Sequence, residues 1–539
     1  MKRKYLILKI ALGLVCFSCS KKIELAPYDS LASTTAFITP EKCLLVLNGV
    51  YDAAHSGVHD PLNGSANTVR GYPFGAAAIA QEEMRGEDMV NVATFYATTY
   101  QNLITPLTPN NVNMWKELYA LINKANIAIA GFSGAGTSGV LTSTVANDYV
   151  AQCLFLRAMA HHELLLHFAR PYADNNGASL GVPYRDFAIE SQASVELAKT
   201  KPRESVADCY TKILADLDFA ETNLSLGTAG NGVSTYYATK AAAIALKMRI
   251  KLHKGDWPGV ITDGNKLIPA AINPQSWTTV VSPIGGWQLT NAADGPFTDN
   301  ASKESIFSIK HDALDNASTN ATLARMFTPS VTGAGRGLCS ISPILWNMPE
   351  FTCTDKRRTL LFTNGNDNTN NPNKFTTKYK DAANQSDWVP YIRYAEVLLM
   401  QAEAEARNNA GISQRAIDLL NTVRNRALLL PLVDTYTLLS FATKNTLINA
   451  ILKERRIELS AEGKRWGDIH RLALDPVFGT AGVPDKMVNG FNNLSAFVCS
   501  GPIPATGVAA IPYNDYRFLW PIPQQERTTN PIVAQNPGY

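Results

Sequence analysis

The chain has 539 residues, a formal net charge of +3, 46% hydrophobic residues and 18% charged residues. Such a near-neutral balance carries no basic footprint for nucleic acid. A chain of this length exceeds what one hydrophobic core fills, so more than one layer or subdomain is expected.

Lys2, Arg3 and Lys4 form a positive start, and Tyr5 to Phe17 is apolar. That stretch is shorter than the roughly 20 residues that span a bilayer as a helix. Ser18, Cys19 and the polar Ser20-Lys21-Lys22 follow, the pattern of a lipoprotein signal cut before Cys19. Cys16 is a weaker choice, because cleavage there leaves Phe17 on the mature side; an ordinary secretory signal is the competing reading. Residues 1–18 are therefore expected to be a signal peptide, 19–40 a lipid anchor with an extended tether, and 41–539 a water-soluble body. Several acyl chains on one Cys anchor stably, at about 0.8 kcal/mol per buried CH₂. Cys43, Cys153, Cys209, Cys339, Cys353 and Cys499 are scattered, and Cys339 with Cys353 is a candidate bridge across a loop.

Apolar residues at steps of three and four predict helices over 41–54, 111–132 and 204–224, and the strongly apolar 147–168 reads as another. Two helix pairs follow: 236–254 with 257–268, joined by Gly255-Asp256, and 391–408 with 413–427, joined by Asn409-Ala410-Gly411. Small Ala402, Ala406 and Ala416 permit close approach, as in tetratricopeptide helix pairs. A last helix covers 443–462, and the Pro-rich tail beyond it is expected to be non-helical. Between 270 and 390 Gly, Asn, Thr, Ser and Pro dominate, with Asn364 to Asn373 reading as an exposed loop. Long irregular stretches that keep their aromatics are usually functional. The body thus divides into an N-terminal helical part (41–269), a loop-rich insertion (270–390) and a C-terminal helical part with its tail (391–539).

Several catalytic patterns fail on inspection. Gly134 to Gly139 matches G-x-G-x-x-G but follows a helix, not a strand, and reads as a flexible loop. His162 and His167 are five apart, where a helical zinc site needs four, so no metal is expected there. Glu454, Glu458 and Glu462 share a helix face and read as ion-paired, with Arg455 and Arg465 nearby. No enzyme activity, metal or cofactor is expected.

Taken in order, several segments resemble the SusD/RagB family of Bacteroidetes outer-membrane nutrient-binding lipoproteins. They are Asn48-Gly49-Val50-Tyr51, Arg85-Gly86-Glu87-Asp88, Trp115-Lys116-Glu117-Leu118-Tyr119 and Phe155-Leu156-Arg157-Ala158 in the first half. In the second half they are Arg393-Tyr394-Ala395-Glu396, Leu420 to Ala427, Glu454 to Leu459, Arg465-Trp466-Gly467-Asp468 and the closing Asn536-Pro537-Gly538-Tyr539. The resemblance implies a mostly α fold: a tetratricopeptide-like helix-pair scaffold with a long loop-rich insertion forming the ligand face. It also implies a lipid-anchored protein of the outer membrane, facing the cell exterior, that binds oligosaccharides and passes them to a SusC-like TonB-dependent transporter. Peptide capture by the same fold, or a helical-repeat interaction scaffold, are the alternatives.

Sugar rings stack on exposed aromatics while their hydroxyls pair with polar groups in a concave site. The expected ligand residues are Tyr72, Arg85, Asp88 and Tyr96 in the early loop, and Trp277, Trp287 and Trp346 in the insertion. Trp287, after Gly285-Gly286, is the best placed of these for exposure. Arg85 and Asp88 either contact ligand or pair with each other. Trp115, Trp257 and Trp466 fall on helix faces and are assigned to packing.

Overall fold

The computed structural model describes residues 33–56, 71–317, 320–329, 334–366 and 371–539. The signal peptide and Cys19 lie outside the described residues. No helix among the described residues is long and apolar enough to cross a membrane.

Helix α1 (Pro40–His55) begins where Thr39 Oγ1 accepts the Lys42 N–H at 3.3 Å and Pro40 fills the first turn. It buries Cys43, Leu47, Val50 and Ala54 on one side. Helix α2 (Ala76–Arg85) is buried along its length. Helices α3 (Pro109–Thr137) and α4 (Ser143–Phe168) pack as a pair, and α5 (Val206–Asn223) packs on the far side of α4. From Val150 onward α4 is buried on every face, so it lies at the centre of this layer.

The pair α6 (Lys240–Lys254) and α7 (Trp257–Leu267) turns at Gly255, whose φ of 78° suits glycine. Asp256 then caps α7 by accepting the Gly259 N–H at 3.0 Å. Helix α8 (Tyr394–Asn408) packs on α7, on α9 (Gln414–Asn425) and on α10 (Lys444–Glu458), which joins the two halves of the scaffold. Ala402, Ala406 and Ala416 are fully buried where these helices meet. The mostly helical, tetratricopeptide-like scaffold is thus as the sequence implies.

Short antiparallel strand pairs stitch the insertion to both halves. Strand β1 (Met89–Asn91) pairs with β3 (Cys339–Ile341), in register Met89 to Ile341. Strand β2 (Ser305–Ile309) pairs with β6 (Val389–Arg393), and β4 (Phe362–Asn366) with β5 (Asn371–Thr376). The C-terminal half closes around a buried ionic cluster. Glu458 accepts from Arg426 at 2.7 Å, from Arg357 at 2.9 Å and from Arg393 at 3.1 Å. Glu462 accepts from Arg393 at 2.8 Å and from Lys378 at 2.6 Å. Buried charges persist only when paired in this way.

Several expectations are corrected. Cys353 is bonded to Cys499, not to Cys339, which is free and buried in β3. The tether is not extended at its end: Ser33–Ala36 is helical, and the Phe37 ring packs edge-on against Phe132, centroids 5.5 Å apart. Asn364 and Asn373 lie in the β4–β5 hairpin, and Asn373 is buried, donating to Phe491 O at 2.7 Å. Gly134 and Gly136 lie inside α3 and not in a loop. The Pro-rich tail holds a short helix, Gln524–Thr529, which Pro523 precedes at the cap position that proline tolerates. The partners of Glu454 and Glu458 are Arg357, Arg393 and Arg426 from other elements, while Arg455 pairs with Asp468.

Candidate ligand-binding cleft

The structure buries most of the expected ligand residues. Trp287 has no exposed surface, Tyr96 is 1% exposed and Tyr72 2%. The reason for Trp287 is local. Gly285 and Gly286 both adopt left-handed φ (75° and 78°), folding the loop back so that the indole faces inward and Trp287 O accepts the Ser282 N–H at 2.7 Å. Trp346 is held between Arg358 and Lys374, each 4.4 Å from its ring centroid. Trp277 is half-buried, its Nε1 donating to Asn291 O at 3.3 Å.

Arg85 and Asp88 do not pair with each other. Arg85 stacks 3.4 Å from the Trp466 ring centroid, and its Nη1 lies 3.0 Å from His167 Nδ1. Asp88 accepts from Arg456 Nε at 3.0 Å. On α4, His167 contacts Glu163 through Nε2 at 3.0 Å, while the His162 ring lies against that of His253. The two histidines therefore serve different neighbours. Trp115 and Trp466 are buried, as expected of packing residues.

A cleft of about 260 Å³ opens elsewhere, at the C-terminal end of α1. Asn48, Tyr51, Asp52 and His55 stand three and four residues apart, so they share one face of α1 and form one wall. Tyr236 and Tyr237 form a second wall, at the end of the short helix Gly232–Tyr236. The third wall is the segment after β2: Lys310, His311, Asp312 and Asp315.

Three tyrosines, Tyr51, Tyr236 and Tyr237, line the cleft, and Trp388 packs behind Tyr236. Tyr237 meets Tyr51 edge-on at 5.0 Å, and Tyr236 meets Trp388 at 5.7 Å. The Tyr237 hydroxyl donates to Asn48 Oδ1, and the Tyr51 hydroxyl donates to Gln152 at 2.8 Å while accepting the Ala238 N–H. These bonds fix the rings while leaving Tyr236, Tyr237 and Trp388 partly exposed. Lys310 Nζ lies 5.4 Å from the Tyr236 centroid. Burial, and His55 beside it, push His311 well below the usual imidazole range, so that ring is neutral. The arrangement offers ring faces for C–H stacking, ringed by an amide, carboxylates and an ammonium for hydroxyls.

A second cleft, about 230 Å³, lies between α3 and the tail. Two of its polar side chains are already engaged, and it carries a single aromatic ring, Tyr119, against three tyrosines in the α1 cleft. Asn123 bonds both the N–H and the C=O of Ile189 at 2.8 and 2.9 Å, and the Tyr119 hydroxyl donates to Pro183 O at 2.8 Å. The α1 cleft is the better candidate.

Two family profiles match the chain. One, described as the SusD family, covers residues 361–539, and the other, described as starch-binding associating with outer membrane, covers residues 58–252. The chain is 26% identical to SusD-like protein P2 of Formosa agariphila, with all of both chains covered. It is 25% identical to a SusD superfamily protein of Bacteroides fragilis, with a TM-score of 0.72 over 92% of this chain and 99% of that one. A putative sugar binding protein of Bacteroides vulgatus shares the fold at 22% identity, with a TM-score of 0.68 over 94% of this chain and all of that one.

The chain belongs to the SusD family. Within this SusD-family fold, the charged segments that carry the resemblance are internal. Arg393, Glu396, Arg426, Glu458 and Asp468 are all buried, each against an opposite charge. Asn48-Gly49-Val50-Tyr51 is a resembling segment that reaches the surface, its Asn48 and Tyr51 lining the α1 cleft. The cleft residues absent from the sequence reading left two signals. One is the polar stripe on α1. The other is the adjacent pair Tyr236-Tyr237, two large aromatics side by side just before α6.

Proposed function

We propose that this SusD-family chain is an outer-membrane lipoprotein, cut before Cys19 and acylated there, that captures oligosaccharides in the α1 cleft. It delivers them to a SusC-like TonB-dependent transporter and carries out no chemistry on them. The observation that carries the reading is the partly exposed group Tyr236, Tyr237 and Trp388, framed by Asn48, Asp52 and Lys310, in a body that buries most of its other large aromatics. Ring faces beside hydroxyl-pairing groups suit sugars. The family description of starch binding at the outer membrane, and the Bacteroides vulgatus protein described as sugar binding, support the same class of ligand.

Screening the purified protein on an array of plant, host and microbial glycans tests this. Binding to one structural class supports the reading. Binding to none of them, with capture of peptides instead, overturns it.

A further inference from the structure

We propose that Asp52, His55 and Asp315 form a binding site for a divalent transition-metal ion of the zinc type on the wall of the α1 cleft. Asp52 and His55 lie three residues apart in the last turn of α1, and so project to the same side. Asp315 arrives from a tight turn in which Asp312 Oδ1 accepts the Leu314 and Asp315 N–H groups at 2.9 and 2.8 Å. His55 Nδ1 lies 3.8 Å from Asp52 Oδ1 and 3.9 Å from Asp315 Oδ1, and the three candidate ligand atoms all fall within 4.8 Å of one another.

Those separations are too long for hydrogen bonds between ring and carboxylates, but they suit an intervening ion. Zinc bonds of about 2.1 Å place tetrahedral ligand atoms about 3.4 Å apart. The side chains therefore need to close by only a few tenths of an ångström along the His55 edges. Asp52 and Asp315 are 51% and 75% exposed, so they are free to do so.

A second observation points the same way. The other nitrogen of His55, Nε2, lies 3.1 Å from His311 Nδ1, and His311 is 2% exposed with no partner at its own Nε2 among the described residues. An imidazole that ligates a metal through one nitrogen is usually oriented by a hydrogen bond from the other, which fixes its tautomer. Here a proton on His55 Nε2, donated to His311, leaves the Nδ1 lone pair facing both carboxylates. One imidazole and two carboxylates leave coordination positions open, in the manner of zinc or manganese sites. Calcium, which takes 6–8 oxygen ligands, is poorly served by the ring. The cluster Glu82, Glu163 and His167 lacks this opening, because Arg85 already occupies the second nitrogen of His167.

The inference stands apart from the glycan reading, since its test contains no sugar. The full chain, purified without an affinity tag and stripped with EDTA, is titrated calorimetrically with Zn²⁺ and separately with Ca²⁺. One Zn²⁺ per chain is expected, bound at least tenfold more tightly than Ca²⁺ and weakened tenfold or more by His55→Ala and by Asp315→Asn. Asp315 is exposed, so Asp315→Asn is expected to leave the thermal melt unchanged, which separates a lost ligand from a lost fold. Absence of Zn²⁺ binding, equal affinity for Ca²⁺, or binding that both substitutions leave intact overturns the site.

Discussion

Arg456 reaches Asp88 across 368 positions of chain, donating from Nε to Oδ2 at 3.0 Å. Beside it Arg465 donates to Glu87 at 2.6 Å, so the loop after α2 is clamped onto the end of α10 and the segment that follows. Asp88 is 1% exposed. Asp88→Ala takes away one of the two carboxylates paired with Arg456 and leaves Glu87 Oε1 at 2.9 Å, so its cost stays below the ~3–5 kcal/mol of a fully stranded buried charge. Asp88→Ala is therefore expected to lower the urea midpoint while ligand binding survives in the molecules that remain folded.

Trp287 follows the same logic without charge. Truncating a fully buried Trp to Ala costs about 3–5 kcal/mol through lost transfer energy and the cavity left behind. Trp287→Ala is expected to fall in that range by chemical denaturation, and Trp287→Phe to cost distinctly less. Neither removes a ring that ligand can reach.

How the sequence encodes these outcomes differs by element. Helices α1, α6, α7 and α9 were legible because a polar or small cap meets a strict three-and-four spacing of apolar residues. The central α4 showed as a plain apolar run. Helix α2 was not legible as an internal element: its Gln81-Glu82-Glu83 run reads as a solvated face, yet the protein buries those polar groups. Most of the expected ligand residues are buried for a related reason. Exposure of an aromatic in a loop depends on how the loop folds, and two left-handed glycines turned Trp287 inward. The charged family motifs pointed correctly to the scaffold. The cleft lay in the polar stripe on α1, a face that periodicity analysis discards as solvated.

Acid is expected to destabilise the fold in a defined window. Burial works against the charge on Glu458, yet Arg426, Arg393 and Arg357 outweigh it and hold its carboxyl at about 2, below the ordinary 4.5. Burial likewise opposes ionisation of Glu87, but Arg456 and Arg465 bring it to about 2. Both folded-state values are depressed, so this stability is fully present above about pH 4.5 and is lost as pH falls toward 2. Each carboxylate accounts for about 2 kcal/mol by about pH 3. Urea midpoints measured from about pH 6 down to about pH 3 are expected to fall steeply only below 4.5.

The Cys353–Cys499 bond closes a loop with a sequence separation of 146. Constraining so long a loop in the unfolded chain is worth about 2–5 kcal/mol. Reduction is expected to lower the melting temperature of the protein, and Cys353→Ser to reproduce the effect. Peptide mapping without reductant is expected to recover the 353–499 pair and an unbridged Cys339.

The most direct test of the central claim is mobility in native gels containing the glycan class that the protein binds, comparing the unaltered chain with Tyr236→Ala and Trp287→Phe. Tyr236 is partly exposed in the α1 cleft, whereas Trp287 is fully buried away from ligand. Retardation abolished by Tyr236→Ala and kept by Trp287→Phe is the predicted result. Retardation that persists in Tyr236→Ala contradicts the assignment of the α1 cleft as the place where ligand binds.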